Sequence, residues 1–207
     1  RGDLGATLSG VGPGRVVLPP LTLTGPGSRI HLSYYFLAEQ PCPDSGQIPL
    51  PRCAGGGFGM VSMSFRRAAA MQGSARLCDG RVVSVHTIKP LCFAEAPEGR
   101  PWGTTASGRP AVPFRSVAID PARFRMGRWY MMPALRGVPL PSPAAGTVHD
   151  GCVRADDIGG RVRGELVDFF VGSRTAIAEL KSRIGEGPFV LHDGTDLCRE
   201  TAAQFDG

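Results

Sequence analysis

Three aspartates of this sequence stand inside, or at the ends of, apolar segments with the composition of strands. Asp120 closes the run at 117–119 before a proline, Asp157 precedes a Gly-Gly pair, and Asp168 lies inside the run at 166–171. An ionised carboxylate in apolar surroundings is costly unless it is paired or does chemistry. Asp168 is therefore the first candidate for a working carboxyl group.

The chemistry that such carboxyls serve is proton transfer. A carboxylic acid whose pKa is raised toward the working pH can donate a proton to the leaving oxygen of a glycosidic bond. Burial beside Phe169 and Phe170 would raise the pKa of Asp168, and so would repulsion from Asp157 and Asp120 if the three converge. Taken singly, each aspartate also fits a turn, since Asp-Pro and Asp-x-Gly-Gly sequences are common there.

We assign structural rather than catalytic roles to two other aspartates and to the histidines. We interpret Asp150 and Asp156 as solvated turn residues, and His149 as a turn or surface histidine, with a role as ligand or base as the alternative. The remaining histidines lie far apart without metal-ligand spacing and are treated as structural: His31, His86 and His192. The sequence thus predicts no metal site and no cofactor.

Most elements that would position these residues are predicted to be strands. Apolar, β-branched and aromatic residues favour strands over six segments: residues 30–37, 60–65, 117–121, 129–132, 162–171 and 188–192. Asp79-Gly80 between two extended runs predicts a hairpin over 72–85, and 41–57 is predicted to be a long loop. The only strong helix pattern covers 173–184, with a short helical turn at 66–71.

Length and composition fit one mainly β domain. The chain has 207 residues, among them 29 glycines and 19 prolines, which favours short strands joined by turns. A closed barrel would protect the strand edges. We expect an extended arm over 1–28, including a short β-rich island at 15–18, and the domain over 29–207. The absence of any apolar run of about 18 residues predicts no transmembrane segment.

Six cysteines, an even number without a C-x-x-C pair, predict disulfides in an oxidising compartment. Cys42 and Cys53 are candidates to bridge the loop that contains both, although six cysteines allow about 15 pairings. The alternative is a cytosolic protein with six buried thiols. Because the sequence starts at Arg1 without a leader pattern, we expect any export signal to have been removed or to lie outside it.

The blocks at 104–108, 117–121, 157–164 and 167–170, taken in this order, resemble the three-aspartate or "3D" domain. Tyr34-Tyr35 and the segment 72–80 resemble blocks of the membrane-bound lytic transglycosylase A family, which contains that domain. The resemblance covers about residues 30–172. It implies an all-β fold built on a six-stranded double-psi β-barrel, with one C-terminal helix and long inserted loops.

The resemblance also implies a function and a set of site residues. Asp168 falls on the catalytic acid, and Asp157 and Asp120 on its supporting carboxylates, in an exported enzyme that cleaves peptidoglycan and forms a 1,6-anhydro product. The candidate substrate-binding residues are Tyr34, Tyr35, Gln72, Trp102, Thr104, Thr105, Ser107, Gly159 and Gly160. The chain departs from the family pattern at 125–127, Arg161 and Arg163, and by its short segment between the Tyr pair and Gln72.

Two other functions remain open on the sequence. The chain fits a non-catalytic, expansin-like polysaccharide-binding module, or a hydrolase of another β-linked glycan with Asp168 as acid and Asp120 or Asp157 as base. A formal charge of +5 and scattered arginines would suit an anionic polymer or nucleic acid. Together with the resemblance, the charge and the scattered arginines favour peptidoglycan or another polysaccharide as the partner rather than nucleic acid. We also expect the protein to be a monomer.

Overall fold

A computed structural model of the protein describes residues 18, 20–23 and 25–205. The predicted β-rich island falls on 15–18, of which only Leu18 is described, so it lies almost wholly outside the described residues. The described chain forms twelve strands: β1 Ser28–Tyr35, β2 Ala38–Glu39, β3 Ile48–Pro51, β4 Gly57–Val61, β5 Ser74–Arg76, β6 Val82–Ile88, β7 Leu91–Glu95, β8 Ser116–Ala118, β9 Trp129–Met131, β10 Cys152–Asp157, β11 Leu166–Phe170 and β12 Phe189–Asp193. Three α-helices accompany them: α1 Met63–Gln72, α2 Ala176–Ile184 and α3 Arg199–Phe205.

Six strands close into a barrel in the order β1, β11, β8, β10, β9, β12. The pairs β1/β11 and β8/β10 are parallel, and the other neighbours are antiparallel. The barrel interior is filled by large apolar side chains, among them Phe114, Ile119 and Phe169, none of which is exposed. The predicted mainly β, six-stranded barrel is confirmed, and its double-psi crossings stay a prediction.

A second sheet is inserted between the first barrel strand and the rest of the barrel. Its order is β2, β5, β6, β7, and the β3/β4 pair and α1 accompany it. It has its own apolar cluster, built around Leu50, Phe65 and Phe93. The predicted hairpin is confirmed as the antiparallel β5/β6 pair, whereas the predicted loop at 41–57 contains the strand β3.

The helix prediction is correct for α2 and incomplete elsewhere. The segment 60–65 was predicted to be a strand, but β4 ends at Val61 and α1 begins after Ser62, whose Oγ accepts the N–H of Phe65 at 3.3 Å. This N-cap satisfies a backbone donor that the first helical turn leaves open. Helix α3 was not predicted, because only seven residues with one buried side chain give too short a pattern.

All six cysteines are paired, so the prediction of disulfides is confirmed. The proposed bridge between Cys42 and Cys53 is wrong. Cys42 pairs with Cys78 and Cys53 with Cys92, both within the second sheet and its loops, and Cys152 pairs with Cys198 to connect β10 with the start of α3. No helix within the described ranges is long and apolar enough to cross a membrane.

Candidate active site

A cleft of about 320 Å³ lies between the barrel and the second sheet. Barrel strands β1, β8, β10 and β11 form one wall, and the C-terminal end of α1 and the outer half of β6 form the other. Asp157 and Asp168 both lie on the barrel wall. The cleft therefore contains two of the three predicted aspartates.

Asp168 is positioned by the parallel pairing of two barrel strands. Ser33 on β1 lies directly opposite Asp168 on β11, and its Oγ donates a hydrogen bond to Oδ1 of Asp168 at 2.8 Å. The neighbours Val167 and Phe169 point into the barrel core and are fully buried. Because side chains alternate along a strand, the carboxyl of Asp168 must point the other way, into the cleft.

Asp157 stands at the end of β10, where the ladder with β8 is interrupted by an extra residue between Ala155 and Asp157. Such a bulge bends the strand and redirects the next side chain. The carboxylate accepts three hydrogen bonds: from the N–H of Ala106 at 2.9 Å, from the N–H of Ile158 at 3.0 Å and from the hydroxyl of Tyr35 at 3.3 Å. All three donors favour the ionised form.

The two carboxyls thus differ in how easily they take up a proton. Burial raises the pKa of Asp168; the Ser33 hydrogen bond opposes the rise and the negative charge of Asp157 adds to it. Burial also raises the pKa of Asp157, but three hydrogen bonds oppose this rise. With one donor against three, Asp168 is the better candidate for the protonated acid and Asp157 for the permanent anion.

Asp120 does not line the cleft. Its carboxylate accepts the N–H of Gly164 at 2.7 Å and the N–H of Ala122 at 3.0 Å. These two bonds, with a smaller contribution from the charge of Arg163, hold its pKa below the ordinary value. Asp120 therefore fixes the turn that leads into β11, four residues before Asp168.

The predicted tyrosine pair is divided between two environments. Tyr35 lines the cleft, packs on Phe170 with ring centroids 4.9 Å apart, and donates to Asp157. Burial, together with the charges of Asp157 and Asp168, raises its pKa well above the ordinary value, so it remains a hydrogen-bond donor. Tyr34 points away from the cleft to the barrel core, with the Lys181 ammonium 5.6 Å from its ring centre.

Gln72, Gly159 and Gly160, which were predicted to bind substrate, line the cleft. The side-chain oxygen of Gln72 accepts the N–H of Phe36 at 2.9 Å, which connects α1 to the chain leaving β1. A Cβ on Gly159 would come within 2.5 Å of Val162, whereas one on Gly160 would meet no atom within 4 Å. Gly159 is thus required by packing, and Gly160 leaves open space at the cleft.

The loop of predicted sugar-positioning residues approaches the second sheet closely. At Gly103 φ is 92°, and a Cβ there would lie 2.3 Å from the Ser74 hydroxyl oxygen. The next residue, Thr104, donates its N–H to Ser84 at 2.9 Å and lines the cleft with Ala106. The remaining candidates do not line the cleft: Thr105 and Ser107 bond to each other, and Trp102 packs on Phe170.

Three polar residues interpreted as turn or surface residues are in fact partnered inside the protein. His149 is fully buried between the carbonyl of Phe114 and the N–H of Gly151, and burial lowers its pKa to about 4. Asp150 pairs with Arg115 and accepts the Thr201 hydroxyl. The interpretations failed because Phe114, Arg115 and Thr201 lie in segments distant in sequence from His149 and Asp150.

Asp156 is also buried rather than solvated. Its carboxylate pairs with Arg154 at 2.6 Å and accepts the Ser116 hydroxyl at 2.8 Å. Sequence reasoning missed three contributors to the site: Ser33, the backbone of Ala106, and His86, which lines the cleft on β6. Only the alternation of polar and apolar residues along β1 offered a signal for Ser33.

No protein-family model and no curated protein matches the chain. Solved structures do match. The structure of Escherichia coli MltA with bound chitohexaose aligns at a TM-score of 0.50 and 15% identity, over 80% of this chain and 72% of that one. The membrane-bound lytic murein transglycosylase from Agrobacterium tumefaciens aligns at a TM-score of 0.50 and 14% identity, over 86% and 75%. At these identities the likeness shows a shared fold, in agreement with the predicted MltA-like architecture.

Proposed function

We propose that this protein is a peptidoglycan lytic transglycosylase that uses Asp168 as its general acid and base. The observation that carries the proposal is the pair of unequal carboxyls in one cleft, Asp168 with a single hydrogen-bond donor and Asp157 with three. The fold shared with two lytic transglycosylases supports the same assignment. The chitohexaose bound to the E. coli protein supports a β-linked glycan as the ligand of this cleft.

The first step is cleavage of the glycosidic bond. The protonated carboxyl of Asp168 gives its proton to the glycosidic oxygen, and the bond between that oxygen and the anomeric carbon breaks with both electrons going to the oxygen. Positive charge develops on the sugar ring. Asp157, kept anionic by its three donors, stabilises this charge from its fixed position on β10.

The second step needs no water. The Asp168 carboxylate accepts the proton of the 6-hydroxyl of the muramic acid residue, and the 6-oxygen forms a bond to the anomeric carbon. A 1,6-anhydro sugar results, and Asp168 regains its proton. One acid that becomes the base suffices, whereas an ordinary hydrolase uses two working carboxylates.

Asp120 has a positioning role in this proposal. Its two backbone hydrogen bonds hold the turn at Gly164, and β11 with Asp168 follows directly. Tyr35 and Gln72 have similar roles, since one orients Asp157 and the other connects the two walls of the cleft. The cleft is complete within one chain, which supports a monomer.

Three disulfides support a place of action outside the cytoplasm, because cytosolic thiols are kept reduced. Peptidoglycan lies in that oxidising environment. We also propose that the barrel has the double-psi crossings of the 3D domain. The parallel β1/β11 and β8/β10 pairs support this topology.

Digestion of purified sacculi with product analysis by mass spectrometry tests the activity. A lytic transglycosylase releases anhydromuramic products, each lighter by one water than the product of a hydrolase. Reducing-end products without the anhydro form would establish a hydrolase, with Asp157 as the base. Binding to sacculi without any products would establish the expansin-like binding module instead.

A further inference from the structure

His86 occupies the wall of the cleft opposite the two carboxyls. It lies in the outer half of β6, where the side chains are exposed. Among the residues that line the same cleft are Asp157 and Asp168 on the barrel side. His86 lies 71 positions before Asp157, and no sequence pattern connects the two.

The backbone at His86 is specifically shaped. In the β6/β7 ladder Val85 pairs with Phe93 and Thr87 with Cys92, so His86 is an extra residue with no partner across the strand. Bulges of this kind are common next to active sites because they redirect a side chain. The wall opposite carries its own bulge immediately before Asp157. Each wall of the cleft therefore has a β-bulge: one wall at His86, and the other immediately before Asp157.

The strand that carries the bulge is held in place. Cys92, beside the bulge on β7, is bonded to Cys53. The hydroxyl of Thr87 lies 3.2 Å from the sulfur of Cys92 and donates to the carbonyl of Pro90 at 2.5 Å. His86 is thus presented on a fixed frame rather than on a free loop.

The imidazole ring has no hydrogen bond or ion pair to any residue that the structure describes. It also borders a second cavity of about 470 Å³, which shares Val85, His86, Thr104 and Ala106 with the cleft. Arg100 lies on that second cavity, where its guanidinium donates to Thr104 and to the carbonyl of Gly108. Glu95, the carboxylate among the described residues that line that cavity, already pairs with Arg52 and Arg81.

We propose that His86, as an imidazolium, binds a carboxylate carried by a substituent of the glycan, and so makes the cleft select acidic glycans over neutral ones. The inference rests on the proposed function and deepens it. Among the described residues, the charged and titratable groups that line these two cavities with His86 are Asp157, Asp168 and Tyr35 in the cleft, and Glu95 and Arg100 in the adjoining cavity.

The charges of the cleft explain why such a residue is needed. A neutral glycan meets no repulsion from the anionic Asp157, but a muramic acid residue carries a carboxylate on its lactyl group or on an attached peptide. A cation on the opposite wall holds that carboxylate away from Asp157. A charge-assisted hydrogen bond between the imidazolium and the carboxylate supplies the preference.

Binding is measured by titration calorimetry in an Asp168→Asn background, which prevents turnover while the ligands are compared. The ligands are chitohexaose and soluble peptidoglycan glycan fragments with free carboxylates. Binding is measured at about pH 5.5 and at about pH 8, because the charge of imidazole side chains changes between roughly pH 5 and 8. His86→Gln removes the charge and keeps a polar side chain. His31→Gln is the matched control, because His31 is exposed on β1 outside the cleft.

His86→Gln is expected to weaken binding of the acidic fragments about 3- to 10-fold at the lower pH, the size of one charge-assisted bond at a partly exposed site. It should have little effect at the higher pH, and chitohexaose binding should not change. His31→Gln should change nothing. An equal loss for both ligands, or no loss for either, would overturn the inference.

The proposed function is tested separately by the wild-type product assay. If wild-type protein forms anhydro products and His86→Gln keeps the same preference between ligands, only the role of His86 fails. If wild-type protein forms no products while His86→Gln loses its preference for acidic fragments, the transglycosylase assignment fails and the carboxylate subsite stands.

Discussion

Asp168 and Asp157 differ in the number of hydrogen bonds that their carboxyl groups accept. Both are aspartates on barrel strands at the same cleft, and burial raises the pKa of both. Ser33 gives Asp168 one hydrogen bond, whereas Asp157 receives two from the backbone and one from Tyr35. In the proposed mechanism the same residue type therefore takes two roles, because the surroundings of the two carboxyls differ.

Asp157→Asn tests this division of roles. The change removes a negative charge that adds to the effect of burial on the pKa of Asp168. The pKa of Asp168 should fall, so the basic limb of the pH–activity profile should move to lower pH, and turnover should drop about 10²-fold because charge stabilisation is lost. The surface variant Asp196→Asn should leave the profile unchanged. A profile that stays in place for Asp157→Asn would argue against coupling of the two carboxyls.

Asp168→Asn should raise stability at neutral pH. A carboxyl whose pKa is raised by folding contributes its full stability below the unfolded pKa of about 3.9 and loses it as the pH rises through the folded pKa. The melting temperature of Asp168→Asn should therefore exceed that of the wild type near pH 7, and the gap should close toward pH 4.

Asp120→Asn is the matched comparison for that measurement, with the opposite sign. Backbone hydrogen bonds from Gly164 and Ala122 lower the pKa of Asp120, so its contribution is present at neutral pH and is lost as the pH falls through the folded pKa. Its Asn variant should melt below the wild type near pH 7. A lower melting temperature for both variants would mean that Asp168 is a stabilising structural carboxylate.

At the scale of single residues, two of the three candidate aspartates, Asp157 and Asp168, line the cleft, whereas the environments of other polar residues were predicted poorly. Asp168 was recognisable because its strand is apolar on both sides. Asp150, Asp156 and His149 were assigned to turns because their local sequence resembles turns, while the groups that satisfy them, such as Arg115 and Ser116, come from another strand or loop. A buried polar residue can be recognised only when its partner is known.

Among the elements, five of the six barrel strands were predicted, whereas β2, β3, β7 and the barrel strand β10 were not, and α1 was predicted only in part. Residues 60–65 alternate in polarity, as a strand does, but Ser62 followed by an alanine-rich segment and Gly73 supplies a helix start and stop. The helix ends at Gly73, where φ is 82°. The helix caps Ser62 and Gly73 therefore predict the structure of this segment better than the alternation of polarity over residues 60–65 does.

A disulfide joins the start of helix α3 to β10, and we expect the stability of α3 to depend on it. The Cys152–Cys198 bond closes a segment with a sequence separation of 46 residues, for which the chain-entropy model predicts about 4 kcal/mol of stabilisation. Thr201 and Asp150 provide a further contact at 2.5 Å. Replacing both cysteines by serine should lower the free energy of unfolding by up to that amount, as measured by urea denaturation.

The matched variant for this measurement replaces Cys42 and Cys78, whose bond lies at the second sheet and closes a separation of 36 residues. Hydrogen exchange should show faster opening of α3 only in the Cys152/Cys198 variant. Equal exchange of α3 in the two variants would show that the helix is held by its side-chain contacts alone.

For the whole molecule, the barrel was predictable and the second sheet was not. The blocks at 117–121 and 157–170 carry the aspartates and the barrel strands together, so they pointed to the same fold that the structure has. Cysteine pairing and the closure of β2 to β7 into a sheet depend on contacts between distant segments. The cleft exists because this sheet faces the barrel. Since His86 lies on the sheet, its place in the cleft was not predicted.

The charge of the whole chain predicts how it meets an anionic polymer. With a formal charge of +5, retention on sacculi should fall as salt is raised, since exposed charges are screened over about 10 Å at 0.1 M ionic strength. Retention on neutral chitin should change little, which separates charge from sugar contacts. Salt-independent retention on sacculi would show that charge contributes little to binding.

The central claim is that Asp168 moves the proton, and Asp168→Asn tests it most directly. The variant keeps the shape of the side chain and removes the acid, so release of anhydro products from sacculi, measured per folded molecule by mass spectrometry, should fall by about 10²- to 10⁴-fold. Binding to sacculi should be retained. A folded Asp168→Asn protein that releases anhydro products at the wild-type rate would contradict the account.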